Sequence, residues 1–141
     1  MSAFDALVID YGGVLTTPLA EAMASFAQDE GIDLQDFIRA SLGAYSEGGD
    51  DLVVGFETGT LSEDDFTEAF AGRLSEIATA PISPHGLIAR IWGRLRLEES
   101  MLTLVGFARK AGMKTALLSN SWGVDYYPRD RLDPLFDVQV I

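Results

Sequence analysis

The sequence contains no cysteine, which removes several classes of site at once. Without cysteine there can be no disulfide, no iron–sulfur cluster and no zinc site built on thiolates. No apolar run approaches the roughly 20 residues that a membrane-spanning helix needs, so we expect no membrane partner. The first residues, Met1 to Asp5, lack the basic flank and the apolar region of a secretory signal. We therefore expect a cytoplasmic protein.

Basic residues are scarce. Lys and Arg total 10 against 22 for Asp and Glu, and the formal net charge is −12. The imbalance lies in residues 1–80, which hold 16 acidic and 2 basic residues. Nucleic-acid binding needs a positive footprint, so we predict no nucleic-acid partner. The acidic excess is typical of a solvated surface, and it also fits an acidic insertion that is separable from a more neutral core.

Apolar residues are plentiful, at 48% of the 141 residues, which is enough for a buried core. Short apolar runs predict strands at residues 6–10, 115–118 and 136–141. The first two are continuously apolar, which is typical of strands buried on both faces of a parallel sheet. Because helical patterns separate the first two strands, we predict an α/β fold with a partial, Rossmann-like parallel sheet of three strands.

Helical periodicity fills most of the chain between the first two predicted strands. The predicted helices run from Pro18 towards Gly31, from Leu34 to Tyr45, after a capping box at Ser62, from Leu87 to Leu95 and from Glu98 to Ala111. A stretch of this length indicates an insertion rather than a simple crossover. We therefore predict an α-helical cap at residues 16–95, inserted in an incomplete core of residues 1–15 and 96–141.

Two predicted strands end in polar residues. Asp10 follows the first strand, and Ser119 and Asn120 follow the second. Ligands of open parallel sheets bind at the carboxyl ends of the strands, so these residues are candidates for one site. An aspartate can act as a nucleophile towards a phosphate and form an acyl-phosphate. A hydroxyl and an amide at the next strand end can hold the transferred group.

Four stretches of the sequence stand out, in chain order VIDYGGVL (8–15), GFETGTLSEDDF (55–66), LLSNS (117–121) and LFDVQVI (135–141). Together they resemble the haloacid-dehalogenase-type (HAD) hydrolases. Residues 8–15 resemble the first motif of that family, and residues 117–121 resemble the second. Residues 135–141 resemble the stretch that leads towards the third, and residues 55–66 resemble a helical cap. The resemblance covers essentially the whole chain.

This resemblance implies Mg²⁺-dependent phosphoryl transfer from a small phosphorylated metabolite through an aspartyl-phosphate. Asp10 would be the nucleophile and a metal ligand, and the backbone carbonyl of Gly12 would be a second metal ligand. Ser119 would bind the phosphoryl oxygens. Gly13 and Asn120 would contact the substrate.

The sequence departs from the family pattern at Gly12, where most family phosphatases carry the aspartate that protonates the leaving group. A glycine here resembles the subgroup related to the phosphatase-like N-terminal region of soluble epoxide hydrolases. Losing general acid catalysis costs about 10² to 10⁴ in rate.

The second departure concerns the third and fourth motifs, whose lysine and acidic residues would follow the third strand. Lys110 and Lys114 are expected at the wrong end of the sheet. We therefore expect a fragment of a longer protein whose first strand forms an open apolar edge, through which copies could associate. The alternative is a complete small domain that closes this edge by dimerising.

Two other functions stay open at this point. One is a 2-haloacid dehalogenase, for which Arg39 would be the halide-binding residue rather than a surface arginine. The other is a catalytically inactive binding or assembly module. After the second motif, Trp122, Tyr126 and Tyr127 either border a substrate pocket or pack in the core.

Overall fold

The computed structural model describes residues 4–42, 51–123 and 126–141. The chain divides into two compact units, one formed by Met1–Leu19 with Leu95–Ile141 and the other by Ala20–Arg94. The helices, in chain order, are α1 (Leu19–Glu30), α2 (Leu34–Leu42), α3 (Asp51–Glu57), α4 (Glu63–Ser75), α5 (Leu87–Trp92), α6 (Glu99–Lys110) and α7 (Arg129–Leu132).

The first unit contains a parallel sheet of three strands, β1 (Ala6–Ile9), β2 (Lys114–Leu118) and β3 (Val138–Val140). The strand order within the described residues is β1-β2-β3, and Ile9 of β1 lies opposite Leu117 of β2. The prediction of an α/β fold with a three-stranded parallel sheet is confirmed, and β1 lies at an edge of the sheet as expected.

One face of the sheet is buried and the other is bare. Ile9 and Leu117 pack in a core with Leu102 and Val105 of α6, and Leu117 is fully buried. On the opposite face, Val8 is 61% exposed, and the side chains of Leu118, Val138 and Val140 are also more than half exposed. The prediction that the strands are buried on both faces is therefore wrong, because no described element covers the second face.

Hydrogen bonds fix the entrance to β2 and β3. The backbone N–H of Thr115 donates to Asp137 Oδ2 at 2.9 Å, and the N–H of Asp137 donates to the carbonyl of Thr115 at 2.8 Å. The buried Thr115 hydroxyl donates to the carbonyl of Leu135 at 2.7 Å. The bond from the Thr115 N–H, with the guanidinium of Arg109 nearby, holds the pKa of Asp137 below its usual value.

The second unit is helical, and aromatic rings fill its interior. The rings of Phe26 and Phe37 lie 5.1 Å apart, and Phe66 stacks on Phe56 at 4.2 Å. Helix α4 begins at the predicted cap, where the Ser62 hydroxyl accepts the N–H of Asp65 at 3.1 Å. We predicted this segment within an inserted cap of residues 16–95, and its action as a cap stays a prediction.

Most predicted helices form, although their bounds differ. Gly31 and Gly112 follow α1 and α6 with φ of 65° and 88°, the left-handed conformation that ends helices. The helix predicted to reach Tyr45 extends to Leu42, and residues 43–50 lie outside the described part. The periodicity gave no signal for α3. Among the described residues, none of the helices combines the length and apolarity needed to cross a membrane.

Candidate functional site

Asp10 directly follows β1 and opens a tight turn. Its carboxylate is exposed, and Oδ1 accepts the N–H of Tyr11 at 2.7 Å. The carbonyl of Tyr11 then accepts the N–H of Leu15 at 2.8 Å, which closes the turn. Gly13 has φ of 72°, a conformation that side chains disfavour, so the second glycine of the motif is needed for the backbone path.

The buried hydroxyl of Thr16 holds this turn from within. It accepts the N–H of Gly13 at 2.9 Å and donates to the carbonyl of Thr17 at 3.0 Å. Gly13 is a predicted substrate contact, and its N–H is already bonded within the turn. To reach a phosphoryl oxygen, Gly13 would have to exchange its bond with Thr16.

Ser119 lies just beyond the end of β2, and its N–H donates to the carbonyl of Val140 at 3.0 Å. Its hydroxyl is buried, donates to the carbonyl of Asn120 at 3.1 Å, and lies 2.9 Å from the hydroxyl of Tyr127. The Asn120 residue is exposed. The predicted serine is therefore already oriented by two neighbouring oxygens.

The strand register brings Asp10 and Ser119 to the same edge of the sheet. Ile9 lies opposite Leu117, so Asp10 follows opposite Leu118, and Ser119 is the first residue after β2. The carboxyl ends of parallel strands meet at one edge, where ligands of such sheets bind. A nucleophilic carboxylate and a hydroxyl at neighbouring strand ends can act on the same phosphoryl group.

Three tyrosines pack against one another close to Asp10 and Ser119, and we call Tyr11, Tyr126 and Tyr127 the tyrosine cluster. The ring of Tyr127 lies 4.4 Å from that of Tyr11 and 4.7 Å from that of Tyr126. Burial, with the nearby Tyr127, raises the pKa of Tyr11 to about 12, and burial also raises the pKa of Tyr126. These two hydroxyls therefore stay protonated at neutral pH. The sequence left packing and pocket lining open for Tyr126 and Tyr127, and Tyr127 packs in the core.

The predicted metal ligands, Asp10 and Gly12, provide oxygen donors of the type that Mg²⁺ prefers, but only two of them. Mg²⁺ prefers six oxygens, and proteins often supply only one or two carboxylates while water and substrate phosphate supply the rest. The Asp10 carboxylate and the Gly12 carbonyl are hard donors of this kind. In residues 4–42, 51–123 and 126–141, no three His, Asp or Glu side chains gather where they could hold a metal ion. These two donors would supply only part of the coordination of a Mg²⁺ ion, so water and substrate phosphate would have to supply the rest.

Two basic residues were singled out by the sequence, Lys114 and Arg39. Lys114 pairs with Ala6 at the start of the strands, roughly 13 Å from the strand ends at about 3.3 Å per residue, as predicted for a surface lysine. Arg39 is exposed on α2 in the helical unit and forms an ion pair with Asp36. These contacts favour a surface arginine over a halide-binding residue.

Comparison with known proteins gives a structural match without a sequence match. Neither a protein-family model nor a curated protein matches the chain. It is similar to crystal structures of a HAD family enzyme from Bacteroides thetaiotaomicron. The magnesium complex matches with a TM-score of 0.59 and 17% identity, over 99% of this chain and 68% of that chain. A second structure gives a TM-score of 0.56 with 18% identity, over 99% and 69%.

A third structure of that enzyme, with magnesium and inorganic phosphate, matches with a TM-score of 0.55 and 17% identity, over 99% and 69% of the two chains. At such low identity the likeness shows the fold alone. The chain has the α/β fold of HAD family enzymes, and the fold implied by its motifs is confirmed.

Proposed function

We propose that this chain, which has a HAD-like fold, is a hydrolase that transfers a phosphoryl group from a small phosphorylated metabolite to Asp10 and then to water. The observation that carries the proposal is the placement of Asp10 and Ser119 at the carboxyl ends of adjacent parallel strands. The magnesium and phosphate in a structure of similar fold support the same chemistry.

The proposed reaction has two displacements at phosphorus. In the first, a carboxylate oxygen of Asp10 bonds to phosphorus as the bond to the leaving oxygen breaks. In the second, water attacks phosphorus, the bond to Asp10 breaks, and inorganic phosphate leaves. Ser119 donates a hydrogen bond to a phosphoryl oxygen in both steps. Gly12 has no side chain, so the leaving oxygen takes its proton from water.

Mg²⁺, when bound, would neutralise phosphoryl charge and align the phosphate with the attacking oxygen. Asp10 and the carbonyl of Gly12 are the residues that would hold it. Since the protein supplies only these two donors, we expect Mg²⁺ to bind weakly on its own and more tightly when phosphate is present.

Phosphatase activity of the full encoded protein tests the proposal. With Mg²⁺ and a panel of phosphate monoesters, we expect turnover that Asp10→Asn abolishes. Asp5→Asn is the matched control, because Asp5 is an exposed aspartate at the opposite end of β1 and should keep wild-type activity. Equal rates for the wild type and Asp10→Asn would contradict the proposal.

A second candidate function is an assembly module, and the bare face of the sheet favours it. Val8, Leu118, Val138 and Val140 are apolar and more than half exposed on that face. Apolar patches of this kind mark interaction sites in many proteins. This candidate predicts self-association that Val138→Lys reduces, measured by sedimentation velocity. A wild-type protein that stays monomeric at high concentration would rule it out.

A further inference from the structure

The hydrogen bonds around Ser119 fix the direction in which its proton points. A serine hydroxyl has a single proton to donate. Its partner at 3.1 Å, the carbonyl oxygen of Asn120, can only accept a hydrogen bond. If Ser119 gives its proton to Asn120, the 2.9 Å contact with Tyr127 requires the phenol to donate to the serine oxygen. The two contacts together therefore form a chain that runs from Tyr127 through Ser119 to a carbonyl.

The packing around Tyr127 holds its hydroxyl next to Ser119. It is 4% exposed, and its ring packs against Tyr11 on one side and Tyr126 on another. The guanidinium of Arg129 lies 5.9 Å from the centre of the same ring. Because a phenol is more acidic than an alkyl hydroxyl, it is the stronger donor of the pair. Packing and chemistry thus favour the same direction of donation.

We propose that Tyr127 is a positioning residue for the reaction, one that directs the proton of Ser119 at a phosphoryl oxygen. This inference rests on the proposed function. A bound phosphoryl oxygen would replace the Asn120 carbonyl as the acceptor, while Tyr127 continues to donate to Ser119. Donation from Tyr127 polarises the serine hydroxyl and strengthens its own bond to the phosphate.

The test compares Tyr127→Phe with Tyr126→Phe. Each variant removes one hydroxyl from the tyrosine cluster and keeps the ring. The Tyr127 hydroxyl contacts Ser119 directly, whereas the Tyr126 hydroxyl lies 3.3 Å from Ser121 and reaches Ser119 only through its hydrogen bond to Tyr127. The probe is inorganic phosphate with Mg²⁺, measured by calorimetry on the full encoded protein. We expect Tyr127→Phe to weaken phosphate binding about five- to tenfold, the size of one hydrogen bond, and Tyr126→Phe to change it less than about twofold.

A double-mutant cycle with Ser119→Ala separates positioning from a structural role. Once the serine hydroxyl is gone, Tyr127→Phe should cause no further loss of phosphate affinity. An equal loss in both backgrounds would overturn the proposal, because the effect would then pass through packing. Unchanged or tighter binding by Tyr127→Phe would also overturn it, since the phenol would be idle or competing with phosphate.

A second variant keeps the test decisive if Tyr127→Phe does not fold. Replacing Tyr127 by 3-fluorotyrosine keeps the shape of the ring and makes its hydroxyl a stronger donor, so phosphate should bind more tightly. Unchanged affinity would overturn the positioning role. If the wild type neither binds phosphate nor hydrolyses any monoester, the proposed function fails and the inference fails with it. If the wild type does both and the variants show no coupling, only the inference fails.

Discussion

Replacing Gly12 by aspartate should give the proposed hydrolase the acid that its sequence lacks. Gly12 does not have a positive φ, so its backbone accepts a side chain. An added Cβ would lie 3.0 Å from Cδ2 of Leu19 and 3.4 Å from Cδ1. Leu19 is 38% exposed and these are the ends of its side chain, so it can turn aside. We expect a stability cost of about 1 kcal/mol, at the low end for overpacking.

The gain should depend on the leaving group. General acid catalysis contributes about 10² to 10⁴ in rate when the leaving oxygen needs a proton. An alkyl phosphate has such a leaving group, whereas p-nitrophenolate leaves without one. We therefore expect Gly12→Asp to raise kcat/KM for an alkyl phosphate by at least about 10², the lower bound of that range, and to change the value for p-nitrophenyl phosphate little.

The assay is steady-state phosphate release from both substrates in the presence of Mg²⁺. Gly12→Asn is the matched control, because asparagine has nearly the same size and meets Leu19 in the same way but cannot serve as the acid. The kcat/KM ratio between the two substrates should change for the aspartate variant alone. If the aspartate and asparagine variants give the same kcat/KM ratio, an acid at position 12 does not protonate the leaving group and the reasoning is wrong.

Three further predictions concern stability. Asp137→Asn should lower the unfolding free energy at neutral pH. The Thr115 N–H holds the folded-state pKa of Asp137 below the unfolded value of about 3.9, so the stabilisation by Asp137 is present above that value and is lost as the pH falls through the lower folded pKa. A difference in unfolding free energy between mutant and wild type that stays constant into acid would contradict this. Leu117→Ala should cost about 2–5 kcal/mol in urea unfolding, because the side chain is fully buried. Thr16→Val should cost about 1–3 kcal/mol in the same assay, because the Gly13 N–H loses its acceptor, and an unchanged midpoint would show that water replaces the hydroxyl.

The positions of the strands along the chain could be predicted because apolar runs and terminal polar residues are local signals. Asp10 and Ser119 each follow a short apolar run, and the rule for parallel sheets places such residues at one edge. The register of β1 and β2 agrees with that expectation. The capping box at Ser62 was equally readable, because its chemistry depends only on residues three apart.

The remaining features depend on contacts between distant residues. A continuously apolar strand looks the same whether one face or both are covered, so the exposure of Val8 could not be predicted from β1 itself. The bond between Ser119 and Tyr127 spans only eight residues, but it arises because Tyr127 packs against Tyr11 from the first motif. The one available signal was a tyrosine within the first motif, Tyr11, and two more shortly after the second, Tyr126 and Tyr127.

The central claim is that Asp10 accepts a phosphoryl group, and the most direct test is to find that group on the protein. The full encoded protein would be quenched in acid during turnover of p-nitrophenyl phosphate with Mg²⁺, digested, and examined by mass spectrometry. We predict one added phosphoryl group on the peptide that contains Asp10, and none in Asp10→Asn. Phosphate release by the wild type with the phosphoryl group on another residue, or with no phosphorylated peptide at any quench time, would contradict the account.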